Sequence, residues 1–216
     1  MNKLCTFLFL TVLIGRDFNQ SLQIAGDNSL DIKKAMLSVP LNQSKGMQWL
    51  ITHMPAEDLK NVKAEFLLLN SSIAYQTREN TKWGQEIPED LFFSYVLPYA
   101  NLNETVESWR LDFFNKFYPM VKDMQSAYEA VVFLNQKIFD ELGVIYSTKR
   151  PKADQSPYES INAGMASCTG LSILLINVCR SVGIPARFVG TPSWYNNSGN
   201  HSWVEIWDGE WHFTGA

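Results

Sequence analysis

Three cysteines in 216 residues are too few for a disulfide-stapled scaffold, and no CxxC or HxxxH pair offers a familiar zinc-site spacing. Cys168, His201 and His212 could together supply three zinc ligands, but nothing in their spacing favours it. Basic residues are scarce as well. Eighteen Lys and Arg against 22 Asp and Glu leave a net charge of −4, with no basic run to displace counterions from a nucleic acid. The longest apolar run, Leu4–Ile14, is about half the ~20 residues that a membrane-spanning helix needs. Internal repeats and low-complexity tracts are missing too. What the chain does have is core material: 46% hydrophobic against 19% charged residues, sufficient for a packed fold of one or two domains.

The N-terminus reads as an export signal. Met1-Asn2-Lys3 supplies a positive start, Leu4–Ile14 the apolar stretch, and polar Arg16-Asp17-Phe18-Asn19-Gln20 follows, with cleavage expected at about residues 15–25. A secreted or periplasmic protein is therefore expected. Cys5 would leave with the signal. Cys168 and Cys179 would remain, and on a helix they lie about 16 Å apart along the axis, beyond the ~7 Å a disulfide allows. Sequons at Asn42, Asn70, Asn103, Asn196 and Asn200 matter only in a eukaryotic secretory pathway.

Residues 30–140 carry helical periodicity at Met47–Ile51, Phe66–Ile73, Leu91–Leu97 and Tyr128–Phe139, with Pro55, Pro88, Pro98 and Pro119 expected at boundaries. Gly143 is expected to end the last of these helices, and 149–154 to form an exposed connection. The signals sharpen after Ser167. Leu171, Leu174, Leu175, Val178, Cys179 and Val182 form an apolar stripe, widened by Ile173 and Ile176, and Arg180, Gly183 and Pro185 form a stop. A short strand at Ala186–Val189, a polar loop at 191–200 and a hairpin turning tightly at Asp208-Gly209 complete the pattern.

Two side chains in this part carry chemistry. Cys168 falls in the first helical turn behind the candidate N-cap Ser167, where unpaired amides and the positive end of the helix dipole favour an anionic sulfur. Taken alone, a cysteine is more often a small core hydrophobe, and Cys179 reads that way. His201 changes the balance for Cys168. It starts the first hairpin strand, and an imidazole there can serve a thiol nucleophile as general base. His53 and His212 read as structural.

Three blocks resemble the transglutaminase-like superfamily: Ala163-Gly164-Met165-Ala166-Ser167-Cys168-Thr169-Gly170-Leu171-Ser172, Cys179-Arg180-Ser181-Val182-Gly183-Ile184-Pro185-Ala186-Arg187, and His201-Ser202-Trp203-Val204-Glu205-Ile206. The resemblance implies an α+β, papain-like core, with the Cys-bearing helix packed on an antiparallel sheet, after a mainly helical N-terminal region. It also implies Cys168 as nucleophile and His201 as base and then acid, with no cofactor and no metal. The expected organisation is a signal peptide at 1–20, a helical region at 21–119 and the core at 120–216.

The third catalytic group departs from the family pattern. An Asp, often followed by Pro, is expected about four residues after a Trp on the next strand, but Trp211 is followed there by Gly215. Glu205 lies about 13 Å along the strand from His201 and cannot substitute. With the hairpin turning at Asp208-Gly209, Ile206 should pair with Trp211 and Trp203 with Thr214. Thr214 is then one substitute, and an incomplete C-terminus is the other explanation. The leading expectation is a thiol enzyme that hydrolyses peptide or amide bonds in a protein or peptide substrate. The alternatives are a cross-linking transglutaminase, a peptide:N-glycanase-like amidase, or a noncatalytic module binding peptide or glycan through Trp194, Tyr195, Trp203, Trp207 and Trp211.

Overall fold

The computed structural model describes residues 16–195 and 199–215; the apolar run Leu4–Ile14 lies outside them. The first helices are α1 (Phe18–Ala25), α2 (Ser29–Ser38), α3 (Ser44–His53) and α4 (Ala56–Asn61). Next come α5 (Ala64–Asn80), α6 (Lys82–Glu86), α7 (Glu89–Tyr95) and α8 (Trp109–Val121). Helices α9 (Ala127–Asn135) and α10 (Ile138–Leu142) lead into strand β1 (Ile145–Tyr146). Helix α11 (Pro157–Ala163), strand β2 (Met165–Ala166) and helix α12 (Cys168–Ser181) follow. The chain then forms β3 (Ala186–Thr191), β4 (His201–Trp207) and β5 (Trp211–Thr214). The architecture is α+β, with one antiparallel sheet in the order β3-β4-β5 and a short parallel pair, β1 with β2.

Local chemistry explains where several elements start and stop. Asp17 caps α1 reciprocally with Gln20 in a capping box. Pro55 and Pro88 stand at the N-caps of α4 and α7, where acidic residues of the first turn face the positive end of the helix dipole. Gly143, at φ 67°, closes α10 in the left-handed region as the sequence predicts. Pro119 corrects its expected role. It lies inside α8, two residues before the end, where the ring removes a single N–H and the helix stops before much else is lost.

Helix α12 is the centre of the molecule. Every residue from Gly170 to Ser181 is buried, because the helix lies between α8, α11 and α5 on one side and β3 and β4 on the other. Its C-terminus is closed as the stop signal implies. Gly183 adopts φ 81°, its N–H donates to the Arg180 carbonyl, and Ile184 N–H reaches back to Cys179 at 2.9 Å. A side chain at Gly183 would also press on Thr77 at 3.0 Å.

Two buried arginines attach the helical region to this centre. Arg180 of α12 donates to the carbonyls of Tyr95, Ala100 and Ala186 at 2.9–3.1 Å. Arg110 of α8 donates to Val96 and Pro98 carbonyls, and to the carbonyl of Arg180 itself. The irregular segment 95–100 could not otherwise run through the interior, since buried carbonyls need donors. Trp83 adds an indole hydrogen bond to Val182 at 3.1 Å.

The hairpin register differs from the expectation by one residue. Trp207 pairs with Trp211, Glu205 with Phe213 and Val204 with Thr214, so the connection is Asp208-Gly209-Glu210 with Gly209 at φ 79°. A three-residue loop with glycine in the left-handed position is the next commonest hairpin after the two-residue turn. The slip matters because strand side chains alternate. It puts Trp211 and Phe213 on the outer face beside Trp207 and Glu205, while Thr214 falls opposite Val204.

Candidate active site

Ser167 is the N-cap of α12, its hydroxyl oxygen accepting from Gly170 N–H at 3.2 Å while donating to the Ala153 carbonyl at 2.7 Å. Leu171 N–H is held by the Ser167 carbonyl. Cys168 and Thr169 therefore keep their amides without an acceptor among the described residues, and these are the groups that could bind an oxyanion. Cys168 is a free, half-buried thiol at this helix start. The packing behind it is tight, since a side chain on Gly170 would meet Ala166 Cβ at 2.9 Å. Cys179 is a different case. Burial pushes its thiol up to about 12, which makes it an inert core group.

His201 opens β4, and the strand alternation decides what surrounds it. Ser202, Val204 and Ile206 are buried toward α12, whereas His201 is exposed. The link between the two elements is Thr169 Oγ1 to Ser202 Oγ at 3.1 Å, joining the residue after Cys168 to the residue after His201. The structure thus brings together the chain segments that carry the two predicted groups. The groups themselves are not joined by a hydrogen bond among the described residues. Instead the His201 ring stacks between Trp194 and Trp203, each 6.2 Å away.

None of the candidate orienting groups stands beside His201. Thr214 is three residues away in register, about 10 Å at 3.3 Å per residue, and its hydroxyl accepts from Asn135 at 3.2 Å. The suggestion that Thr214 substitutes for the family's Asp is corrected by that register. Glu205 accepts two hydrogen bonds from Arg187, at 2.6 and 2.8 Å, across the β3–β4 ladder. Arg187 also lies over the Trp211 ring at 3.9 Å. The Gly-Ile-Pro-Ala-Arg and His-x-Trp-x-Glu segments therefore meet as one ion pair, which no spacing rule could show across 18 residues. His212 faces the other side of the sheet, against Tyr128 at 5.1 Å, so it belongs to a different environment from His201. Among the described residues no group of three or more His, Cys, Asp or Glu is arranged to hold a metal ion.

Residues 118–214 match the family model described as the transglutaminase-like superfamily. A solved structure from Cytophaga hutchinsonii, described as a putative cysteine protease, is similar at 18% identity with a TM-score of 0.47. The similarity covers 64% of this chain and 46% of that one, so the chain spans about half the length of the protein it matches. No curated protein matches.

Proposed function

Residues 118–214 belong to the transglutaminase-like superfamily, and from that premise we propose that the chain is a thiol-dependent acyl-transfer enzyme hydrolysing peptide or amide bonds. The observation that carries this reading is the position of Cys168 at the capped start of α12, tied through Thr169 and Ser202 to the strand that bears His201. In the proposed reaction the Cys168 sulfur attacks the amide carbon and its proton passes to His201. The negative oxygen is bound by the free amides of Cys168 and Thr169. His201 then protonates the departing amine, leaving a thioester on Cys168. Water, deprotonated by His201, attacks that thioester and releases the acid and the thiol. This sequence requires the start of β4 to twist when substrate binds, because alternation sets His201 on the face opposite the buried Ser202 and rotation of the side chain alone does not carry it across the strand.

The test is alkylation by iodoacetamide at neutral pH together with turnover of a peptide-amide library. Cys168→Ala is expected to abolish turnover, and His201→Ala to slow Cys168 alkylation by about tenfold or more. Equal alkylation of the wild type and His201→Ala, with no turnover, would refute the enzyme reading. That outcome would favour the second reading, a noncatalytic module, for which the stacking of His201 between Trp194 and Trp203 is the specific support.

Export is part of the proposal. Helix α1 starts at its Asp17 cap, and Arg16 N–H donates to the Thr52 carbonyl at 3.1 Å. Cleavage inside 18–25 would cut a packed helix. The mature N-terminus is therefore expected before Asp17, and N-terminal sequencing of the exported protein checks it.

A further inference from the structure

Resting on the reading of Cys168 and His201 as a thiol and its base, we propose that Trp194 is a latch. Its indole holds the imidazole on the outer face of β4 and keeps the site at rest until substrate displaces it. Trp194 is thus a positioning residue, acting on Cys168 only through His201.

The contacts around His201 carry the argument. The imidazole lies 6.2 Å from the Trp194 ring at 26° and 6.2 Å from the Trp203 ring at 28°, inside the range over which aromatic rings attract. Polar neighbours on this face are committed elsewhere. Thr191, paired with His201 across the ladder, donates its hydroxyl to the Ser193 carbonyl at 2.9 Å, and Glu205 holds Arg187. The two indoles therefore set the outward orientation.

Of the two tryptophans, Trp194 is the one that can let go. Trp203 is part of β4, moves with His201 and packs against Phe213 at 6.3 Å. Trp194 belongs to the segment after β3, which His201 leaves behind when the start of β4 twists. Its backbone is fixed without help from the indole, its N–H donating to the Gly199 carbonyl at 2.9 Å. The residue is 43% exposed, within reach of an arriving substrate.

The sheet leaves room for the twist. Gly190 pairs with Ser202, and a Cβ there would stand 3.0 Å from the His201 carbonyl. With no side chain on β3 at this point, the β4 backbone has space to shift. An aromatic contact of this kind is worth about three- to tenfold in population, so loss of the Trp194 ring returns His201 toward the thiol by about that factor.

The experiment measures the rate at which iodoacetamide alkylates Cys168 in the full chain at neutral pH, read by peptide mass spectrometry so that Cys179 is counted apart. Trp194→Ala is expected to raise the rate about three- to tenfold, and Trp194→Phe, which keeps a ring, to stay within about twofold of the wild type. In Trp194→Ala combined with His201→Ala the gain is expected to vanish, whereas simple loosening around Cys168 would leave it in place. The His201 Hε1 resonance supplies a readout that does not involve the thiol. Ring currents from the indoles displace it in the wild type, and Trp194→Ala is expected to return it toward the position of free histidine. A Trp194→Ala rate equal to or below the wild type, while His201→Ala still slows the reaction, would overturn the latch and leave the thiol–base reading standing. A gain that survives in the double variant would also overturn it. Equal rates in the wild type and every variant would remove the thiol–base reading, and the latch with it.

Discussion

At the residue scale, pairings across the sheet explain side chains that the linear pattern left without a role. Arg187 and Glu205 are part-buried partners, and removing one leaves the other's charge in a partly desolvated place. Arg187→Ala is expected to destabilise by about 1–2 kcal/mol, with the Trp211 stacking lost as well, and urea unfolding measures it. Acid stability has its own residue. Burial pushes the Glu159 carboxyl up, but hydrogen bonds from Lys152 and Ser156 outweigh it and hold the group at about 2, below the ordinary 4.5. A depressed folded value contributes stability above pH 4.5 that is lost as pH falls toward about 2. Glu159→Gln is expected to flatten the acid limb of the stability curve between those values, read from thermal melts across that range. Asn70 is a further case. It is buried, accepting from Arg110 at 2.6 Å and donating to Leu97 at 2.9 Å, so its sequon cannot carry a glycan in the folded chain.

At the element scale the question is how α12 is held. Its start depends on Ser167, whose hydroxyl both caps Gly170 and grips Ala153. Ser167→Ala is expected to cost about 1–2 kcal/mol by chemical denaturation, and to slow Cys168 chemistry because the helix start is where that residue sits. The cap, the apolar stripe and the glycine stop of this helix were all legible in the sequence, since each is a local signal. The hairpin was legible as a hairpin, but not in register. Asp-Gly suits either a two- or a three-residue loop, and the choice rests on which faces of β5 meet α9 and the outer aromatic surface. The capping box Ser156–Glu159 that starts α11 is a local signal of the same kind.

At the scale of the whole molecule, the helical region and the family-matched segment share one continuous hydrophobic core. The matched segment starts at residue 118, within α8, which packs directly on α12. Expressed alone, 118–214 is expected to be insoluble or to bind a hydrophobic dye, because α12 would lose its cover from α5 and most of α8. A soluble, cooperatively melting fragment would contradict this. Arg180→Met tests the same attachment from inside. It strands the carbonyls of Tyr95 and Ala100 and is expected to lower stability by about 3 kcal/mol or more.

The sequence alone determined the helix that bears Cys168, its two ends, the α+β class and the two side chains offered for chemistry. These rest on periodicity, capping and motif order, which act over a few residues or survive as fixed patterns. Tertiary structure decided the partners: that Glu205 belongs to Arg187, that Thr214 answers to Asn135, and that Ser202 and not His201 points at α12. Each of those depends on which segments meet in space. Burial and hydrogen-bond satisfaction settle that for the folded chain as a whole, and no local stretch of residues carries the answer.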